Sequence, residues 1–329
     1  MLNRRTFLAS AASVAVAGAV APAGAQTAYP AKQISILVGY PAGGGVDIVA
    51  RMAAEAMRPL GQNVVVENRT GASAMIAAGA VAKAVPDGHT LLMAASGEVA
   101  INHFLFKEKM NYDPLRELTP VALIGIVPCV VVVNVNTPVN NPKELIAYAK
   151  ANPGKLSFSS SGIGNPQQLA GELMNSMAGI NVLHVPYRGS APAVTDVATG
   201  AVTMSFSSLA AALPLIQGGK LRAVAVTSKE RMPQLPDVPP LHEGAPGLAG
   251  YELLNWFGLF ATAGTPPAVI DRLNGVVNAM LKDKTVADKL MTQGIVPTTM
   301  TAREYKAFVD SEAAKFGKIV EQANIKLSN

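Results

Sequence analysis

Ile36-Leu37-Val38-Gly39-Tyr40-Pro41-Ala42-Gly43-Gly44-Gly45-Val46-Asp47 runs from an apolar stretch through a glycine turn into residues of helical period. A short Val/Ile/Leu run, a small-residue turn and then a helix is the repeating unit of an α/β protein with buried, mainly parallel strands. The unit recurs along the chain. Val64-Val65-Val66-Glu67-Asn68 leads into Arg69-Thr70-Gly71-Ala72-Ser73, and Leu91-Leu92-Met93-Ala94 into Ala95-Ser96-Gly97. Leu156-Ser157-Phe158 leads into Ser159-Ser160-Ser161-Gly162-Ile163-Gly164-Asn165, and Val182-Leu183-His184-Val185 into Pro186-Tyr187-Arg188-Gly189-Ser190. Val202-Thr203-Met204-Ser205-Phe206 ends in Ser207-Ser208.

Extending this pattern predicts strands over 34–38, 64–67, 90–94, 121–126, 129–133, 156–159, 181–185, 203–206, 222–226 and 256–261. It predicts helices over 46–58, 142–152, 166–178, 191–199, 267–282 and 302–323. Two stretches read as crossings between lobes: 121–133, where Gly125 and Pro128 split two apolar runs, and 250–264. They bracket a middle section, so lobe 1 is expected from 26–126 plus 251–329 and lobe 2 from 127–250. The expected fold is a two-lobed α/β clamshell, each lobe a mainly parallel sheet flanked by helices, with two connecting strands. Such a molecule carries its ligand in the cleft and closes by a hinge.

In a parallel sheet the turns above all lie at the carboxyl ends of strands, where ligands bind. Each also starts a helix, whose first N–H groups lack internal partners and sit at the positive end of the helix dipole. Glycines let the backbone approach closely, and serines and asparagines add neutral donors. The inferred ligand is small and anionic, held by amides and hydroxyls. The candidate binding residues are Tyr40, Ala42, Gly43, Gly44 and Asp47 in the first loop, Ser96 after the third strand, and Ser160, Ser161, Gly162, Gly164 and Asn165. Tyr187, Arg188, Ser205 and Ser207 complete the set. Asp47 has two readings, a brace for the glycine turn or a contact to a ligand amine. Arg188 can fork onto a carboxylate or support its own loop. For Ser96 and Ser207, taken singly, ordinary helix capping is the competing reading.

Other chemistries find no residues. The loop 40–47 lacks a Gly-Lys-Ser/Thr ending and the third glycine of a dinucleotide fingerprint. His89, His103, His184 and His242 are scattered without metal-ligand spacing, and no serine elbow occurs. The lone cysteine, Cys129, sits in an apolar run and reads as a buried thiol. No cofactor and no enzymatic activity are expected. The net charge of +5 includes Arg4 and Arg5, and the remaining basic residues are dispersed, which does not suggest nucleic acid.

The amino terminus reads as an address. Asn3-Arg4-Arg5-Thr6-Phe7-Leu8 precedes an apolar run, and Ala23-Gly24-Ala25 forms a small-x-small site before Gln26. The paired arginines favour twin-arginine export, with residues 1–25 a signal peptide cut after Ala25 and a periplasmic mature protein.

At its turns the sequence resembles the Bug receptor family, the periplasmic substrate-binding proteins of tripartite tricarboxylate transporters. The likeness rests on Tyr40-Pro41-Ala42-Gly43-Gly44-Gly45-Val46-Asp47, Glu67-Asn68-Arg69-Thr70-Gly71-Ala72, Pro86-Asp87-Gly88-His89-Thr90-Leu91 and Tyr112-Asp113-Pro114. Ala151-Asn152-Pro153-Gly154-Lys155-Leu156, Val185-Pro186-Tyr187-Arg188-Gly189-Ser190, Gly218-Gly219-Lys220-Leu221-Arg222-Ala223 and Leu235-Pro236-Asp237-Val238-Pro239 extend it over the mature chain. The resemblance implies a monomeric flytrap whose ligand bears carboxylates, gripped by the loops 40–47 and 160–165, partly through ordered water. It implies inner-membrane transporter subunits as partners, with a sensor kinase as the alternative. Two departures stand out. Val202-Thr203-Met204-Ser205-Phe206-Ser207 lacks the acid that many members carry there, which disfavours an amino-acid ligand. Ser73-Ala74 replaces the usual glycines after Gly71-Ala72, which leaves that loop's shape open.

Overall fold

The computed structural model describes residues 29–323 and residue 325. The expected signal peptide and its cleavage site lie outside the described residues. The first half of the chain runs β1 (Ile34–Val38), α1 (Gly45–Met57), β2 (Val64–Asn68), α2 (Met75–Ala82), β3 (Thr90–Ala95), the short α3 (Asn102–Leu105) and α4 (Pro114–Glu117), and β4 (Leu118–Asn134). The middle section holds α5 (Pro142–Ala151), β5 (Ser157–Ser160), α6 (Pro166–Ala178), β6 (Leu183–Pro186), α7 (Ser190–Thr199), β7 (Met204–Ser208), α8 (Leu209–Gln217) and β8 (Leu221–Val226). The chain then returns through β9 (Leu254–Thr262), α9 (Pro267–Lys282), α10 (Lys284–Thr292), β10 (Val296–Pro297) and α11 (Ala302–Gln322).

The strands form two sheet halves that share β4. β1 pairs in parallel with β2 and β3, and β5 in parallel with β6 and β7. Around these parallel cores the pairings turn antiparallel: β9 joins β3 to β4, β10 adds to the first part of β4, and β7 and β8 flank its second part. Each lobe is therefore mixed rather than mainly parallel. The reason is topological, since a strand that leaves one lobe to enter the other, or returns, runs against its neighbours.

The first crossing also differs from expectation. Instead of two runs broken at Gly125 and Pro128, β4 is one strand of 17 residues. Gly125 serves as a close-approach point, because a Cβ there would lie 2.5 Å from the carbonyl oxygen of Val296 on β10. Pro128 sits where β4 changes partners, the last residue opposite β9 before Cys129 pairs with β7. A residue without an N–H is tolerated at such a handover.

Helices pack both faces. One core cluster joins β1, β3, α1 and α9, and a second joins α7 and α8 to the far part of β4. A third, with Trp256, Tyr305 and Phe316 fully buried, runs from α2 and α11 into α6 and passes through both lobes. Burying each such side chain contributes about 1.5–3 kcal/mol. Cys129 is buried as expected, and burial pushes its thiol up to about 12. Among the described residues no helix is long and apolar enough to cross a membrane, and no cluster of His, Cys, Asp and Glu could hold a metal ion.

Candidate functional site

The six parallel strands β1, β2, β3, β5, β6 and β7 aim their carboxyl ends at the gap between the lobes. A cleft of about 510 Å³ lies there. Four helix N-termini reach its wall, from α1 through Gly43, Gly44 and Gly45, α6 through Asn165, α7 through Gly189 and Ser190, and α8 through Ser208. Three of them, α1, α7 and α8, have no side-chain cap, so their first N–H groups are left for an occupant. Only α6 is capped, by the Asn165 side chain accepting from the Gln168 N–H at 3.0 Å. Arg188 also lines the cleft and, among the described residues, makes no ion pair or side-chain hydrogen bond. Among the described residues no aspartate or glutamate lines it. Val127, Pro128, Phe257 and Ile295 supply an apolar floor.

Of the candidate residues, Tyr40, Ala42, Gly43, Gly44, Ser161, Asn165 and Arg188 line this cleft together. The others do not, each for a local reason. Asp47 is buried, with its carboxylate accepting from the Gly43 N–H at 2.9 Å, Asn68 Nδ2 at 2.9 Å and Arg51 at 3.0 Å. Burial works to raise its pKa, but these hydrogen bonds outweigh burial and hold it below the usual carboxylate range. Asp47 thus braces the glycine loop, where Gly43 holds a left-handed φ of 82°, and does not reach into the cleft.

Ser160 is turned inward, where its hydroxyl meets His184 Nε2 at 2.7 Å and the Gly162 carbonyl at 2.8 Å. The one hydroxyl proton goes to the carbonyl if the His184 Nε2–H donates, which fits a ring whose pKa burial lowers to about 4. Gly162 is consumed by that internal turn, and Gly164 packs against Asn102 and Phe106 of the other lobe. The Tyr187 hydroxyl donates to Asp196 and leaves the cleft wall. Ser205 and Ser207 are fully buried and donate to the carbonyls of Ser159 and Ser208, while the next residue, Ser208 at the end of β7, lines the cleft. Alternation along the strand separates Ser207 from Ser208. Ser96 donates to Asn255 Oδ1 at 2.9 Å, and Asn255 is the residue that lines the cleft.

The residues the sequence reading missed are Gln167, Ser190, Ser208, Asn255, Phe257 and Gln293. Gln167 ties two loops together, accepting from the Ser161 N–H at 2.7 Å and donating to Ser190 Oγ at 3.1 Å. Ser190 and Ser208 stood inside the turns already singled out. Asn255 and Gln293 come from the returning segment and carry no local signal.

The lobes also touch outside the cleft. Ser73 Oγ donates to the Ile163 carbonyl at 3.1 Å on one side, and Gln234 donates to the Met291 carbonyl on the other.

Sequence and structure comparisons agree with this architecture. A model described as the tripartite tricarboxylate transporter family receptor matches residues 49–325. Protein BugT of Bordetella pertussis is 35% identical over 95% of this chain and 96% of its own. Rpa4515 of Rhodopseudomonas palustris, solved with adipate, superposes with a TM-score of 0.83 at 35% identity, over 91% of this chain and 99% of that one. MatC of the same organism, with bound malate, gives a TM-score of 0.79 at 30% identity, over 89% and 100%. The family is one of binding receptors, not enzymes. A two-lobed α/β frame, a cleft walled by helix N-termini and matches spanning nearly the whole chain lead to one conclusion: the protein belongs to the tripartite tricarboxylate transporter receptor family, the Bug receptors.

Proposed function

We propose that this chain is a monomeric periplasmic solute-binding receptor. It captures a small organic carboxylate between a lobe of residues 26–126 plus 251–329 and a lobe of residues 127–250, and presents it to the inner-membrane subunits of a tripartite tricarboxylate transporter. Residues 1–25 act as a twin-arginine signal peptide removed after Ala25. The observation that carries the ligand class is the convergence of three uncapped helix N-termini and Arg188 on a cleft without an acidic side chain. Each N-terminus favours an anion by about 0.3–1 kcal/mol, and charge-assisted hydrogen bonds add about 1.5–3 kcal/mol apiece. The adipate and malate held by two relatives support the same class. The apolar floor leaves room for a di- or tricarboxylate or an aromatic acid.

Isothermal titration with malate, adipate, citrate and benzoate tests the proposal. Binding of at least one acid is expected, weakened about tenfold or more in Arg188→Gln. Silence toward all of them sinks it. Replacing Arg4 and Arg5 by lysine should stop export, and continued export would move the leader to the general secretory class.

A further inference from the structure

Glu98 lies on a single wide π-helical turn, Gly97–Ile101, immediately behind the cleft wall. It is fully buried. The Tyr40 hydroxyl donates to its Oε2 at 2.7 Å, and the Ala95 N–H donates to its Oε1 at 3.0 Å. The other groups facing it are also tyrosines: Tyr112, whose hydroxyl donates to the Glu98 carbonyl at 2.8 Å, and Tyr305 of α11. Among the described residues no Lys, Arg or His pairs with this carboxyl group. Burial pushes Glu98 up to about 7, and the bonds from Tyr40 and Ala95 only partly oppose that.

Tyr40 connects this buried acid to the ligand site, because it also lines the cleft. Its hydroxyl has one proton. With Glu98 ionised, that proton is spent on Oε2 and Tyr40 offers the cleft only lone pairs, which repel an anion. With Glu98 protonated, Oε2–H becomes the donor, the tyrosine oxygen accepts, and the tyrosine proton is released toward the cleft. A carboxylate arriving in the cleft disfavours a second negative charge behind the wall, so binding draws one proton from solvent onto Glu98. Tyr40 keeps its own proton throughout, since burial and the adjacent carboxylate hold its pKa far above the ordinary tyrosine value.

We infer that Glu98 is a proton-carrying positioning residue: it takes up a proton when a carboxylate binds and thereby turns the Tyr40 hydroxyl into a donor to the ligand. This rests on the carboxylate reading of the cleft and names how that site responds to pH.

The test is titration calorimetry of the whole mature protein with malate and adipate, from about pH 6 to about pH 8.5, in buffers of different ionisation heat. Both acids are almost wholly ionised over that range, and once the small protonated fraction of free ligand at the acidic end is subtracted, the remaining proton uptake belongs to the protein. Wild type should take up about half a proton at its maximum, between about pH 7 and about pH 8, and bind about tenfold more tightly at the acidic end, the effect of a one-unit pKa shift. Glu98→Gln presents an amide donor to Tyr40 and an oxygen to Ala95 permanently. It should bind with no proton exchange and no pH dependence, near the acidic wild-type affinity. Tyr40→Phe should lose the acid-side gain. Wild-type binding with no proton uptake and a flat profile overturns the inference while leaving the carboxylate reading intact. No binding at any pH overturns both. The proton count on wild type decides the matter even if a variant folds poorly.

Discussion

Ser73 and Ile163, 90 positions apart in sequence, are joined by a hydrogen bond of 3.1 Å from the serine hydroxyl to the isoleucine carbonyl, and the bond spans the two lobes. Ser73 occupies a costly backbone. Ala72, Ser73 and Ala74 all have positive φ, at 47°, 53° and 68°, a run expected of glycines and costing on the order of 1–3 kcal/mol per residue. Asn102 Nδ2 holds the Ser73 carbonyl at 2.9 Å, and the bond to Ile163 completes the hold. Ser73→Ala removes only the bridge between the lobes. Carboxylate affinity should fall about two- to tenfold, the worth of one net hydrogen bond, while unfolding in urea stays nearly unchanged. An unaltered affinity in calorimetry would mean that this contact plays no part in closure.

Beside that bridge, Gly164 carries a φ of 74°, and a Cβ added there would lie 2.6 Å from Asn102 Oδ1 and 2.7 Å from the Phe106 ring. Gly164→Ala should hold the lobes apart. Small-angle scattering should show a larger particle in the presence of ligand, and affinity should drop by about two orders of magnitude, since the cleft is lined from both lobes. The far-UV circular dichroism spectrum should not change.

Asp47 binds no ligand in this reading, yet its loss should be felt. Asp47→Ala leaves the Gly43 N–H without its acceptor and Asn68 Nδ2 with only the Tyr40 carbonyl, at a cost of about 1–3 kcal/mol in urea unfolding. The half-exposed Arg51 adds little to that figure. Because the folded-state pKa is lowered, the stability Asp47 contributes is present above its unfolded value near pH 4 and fades as pH falls through the folded value. Acid unfolding of wild type should show that loss, and the variant should not.

Glu98 acts in the opposite sense. Its folded pKa is raised to about 7, so its contribution is fully present below the unfolded value near 4.5 and is lost as pH rises to about 7. Without ligand, Glu98→Gln should match wild type near pH 4 and exceed it by on the order of 3 kcal/mol at pH 8. Parallel stability curves for the two proteins would contradict the burial of an unpaired acid.

The two loops that build the cleft were legible from local pattern. Residues 40–47 and 160–165 each combine an apolar run, a turn of small residues and a helix start, and those features sit next to one another in the chain. The helices α8 and α10 were harder to see. Pro214 lies inside the first and Asp283 divides the second from α9, so residues that usually end helices fall within or between helical turns. Single serines were harder still. Ser205 and Ser208 are both polar residues of β7, and only the pleat of a strand already placed in its sheet sends one into the core and the other into the cleft.

Sequence alone determined the α/β class, the strand–turn–helix units and the anion-friendly turns, because periodicity, glycine and capping chemistry act over a few residues. It also carried the family likeness. Tertiary structure decided the mixed pairing around β4, the inward turn of Ser160 toward His184, the arrival of Asn255 and Gln293 at the cleft, and the burial of Glu98 behind Tyr40. Each of these depends on what a residue meets from a distant part of the chain. Desolvation and side-chain direction are set by that neighbour and not by the residues on either side.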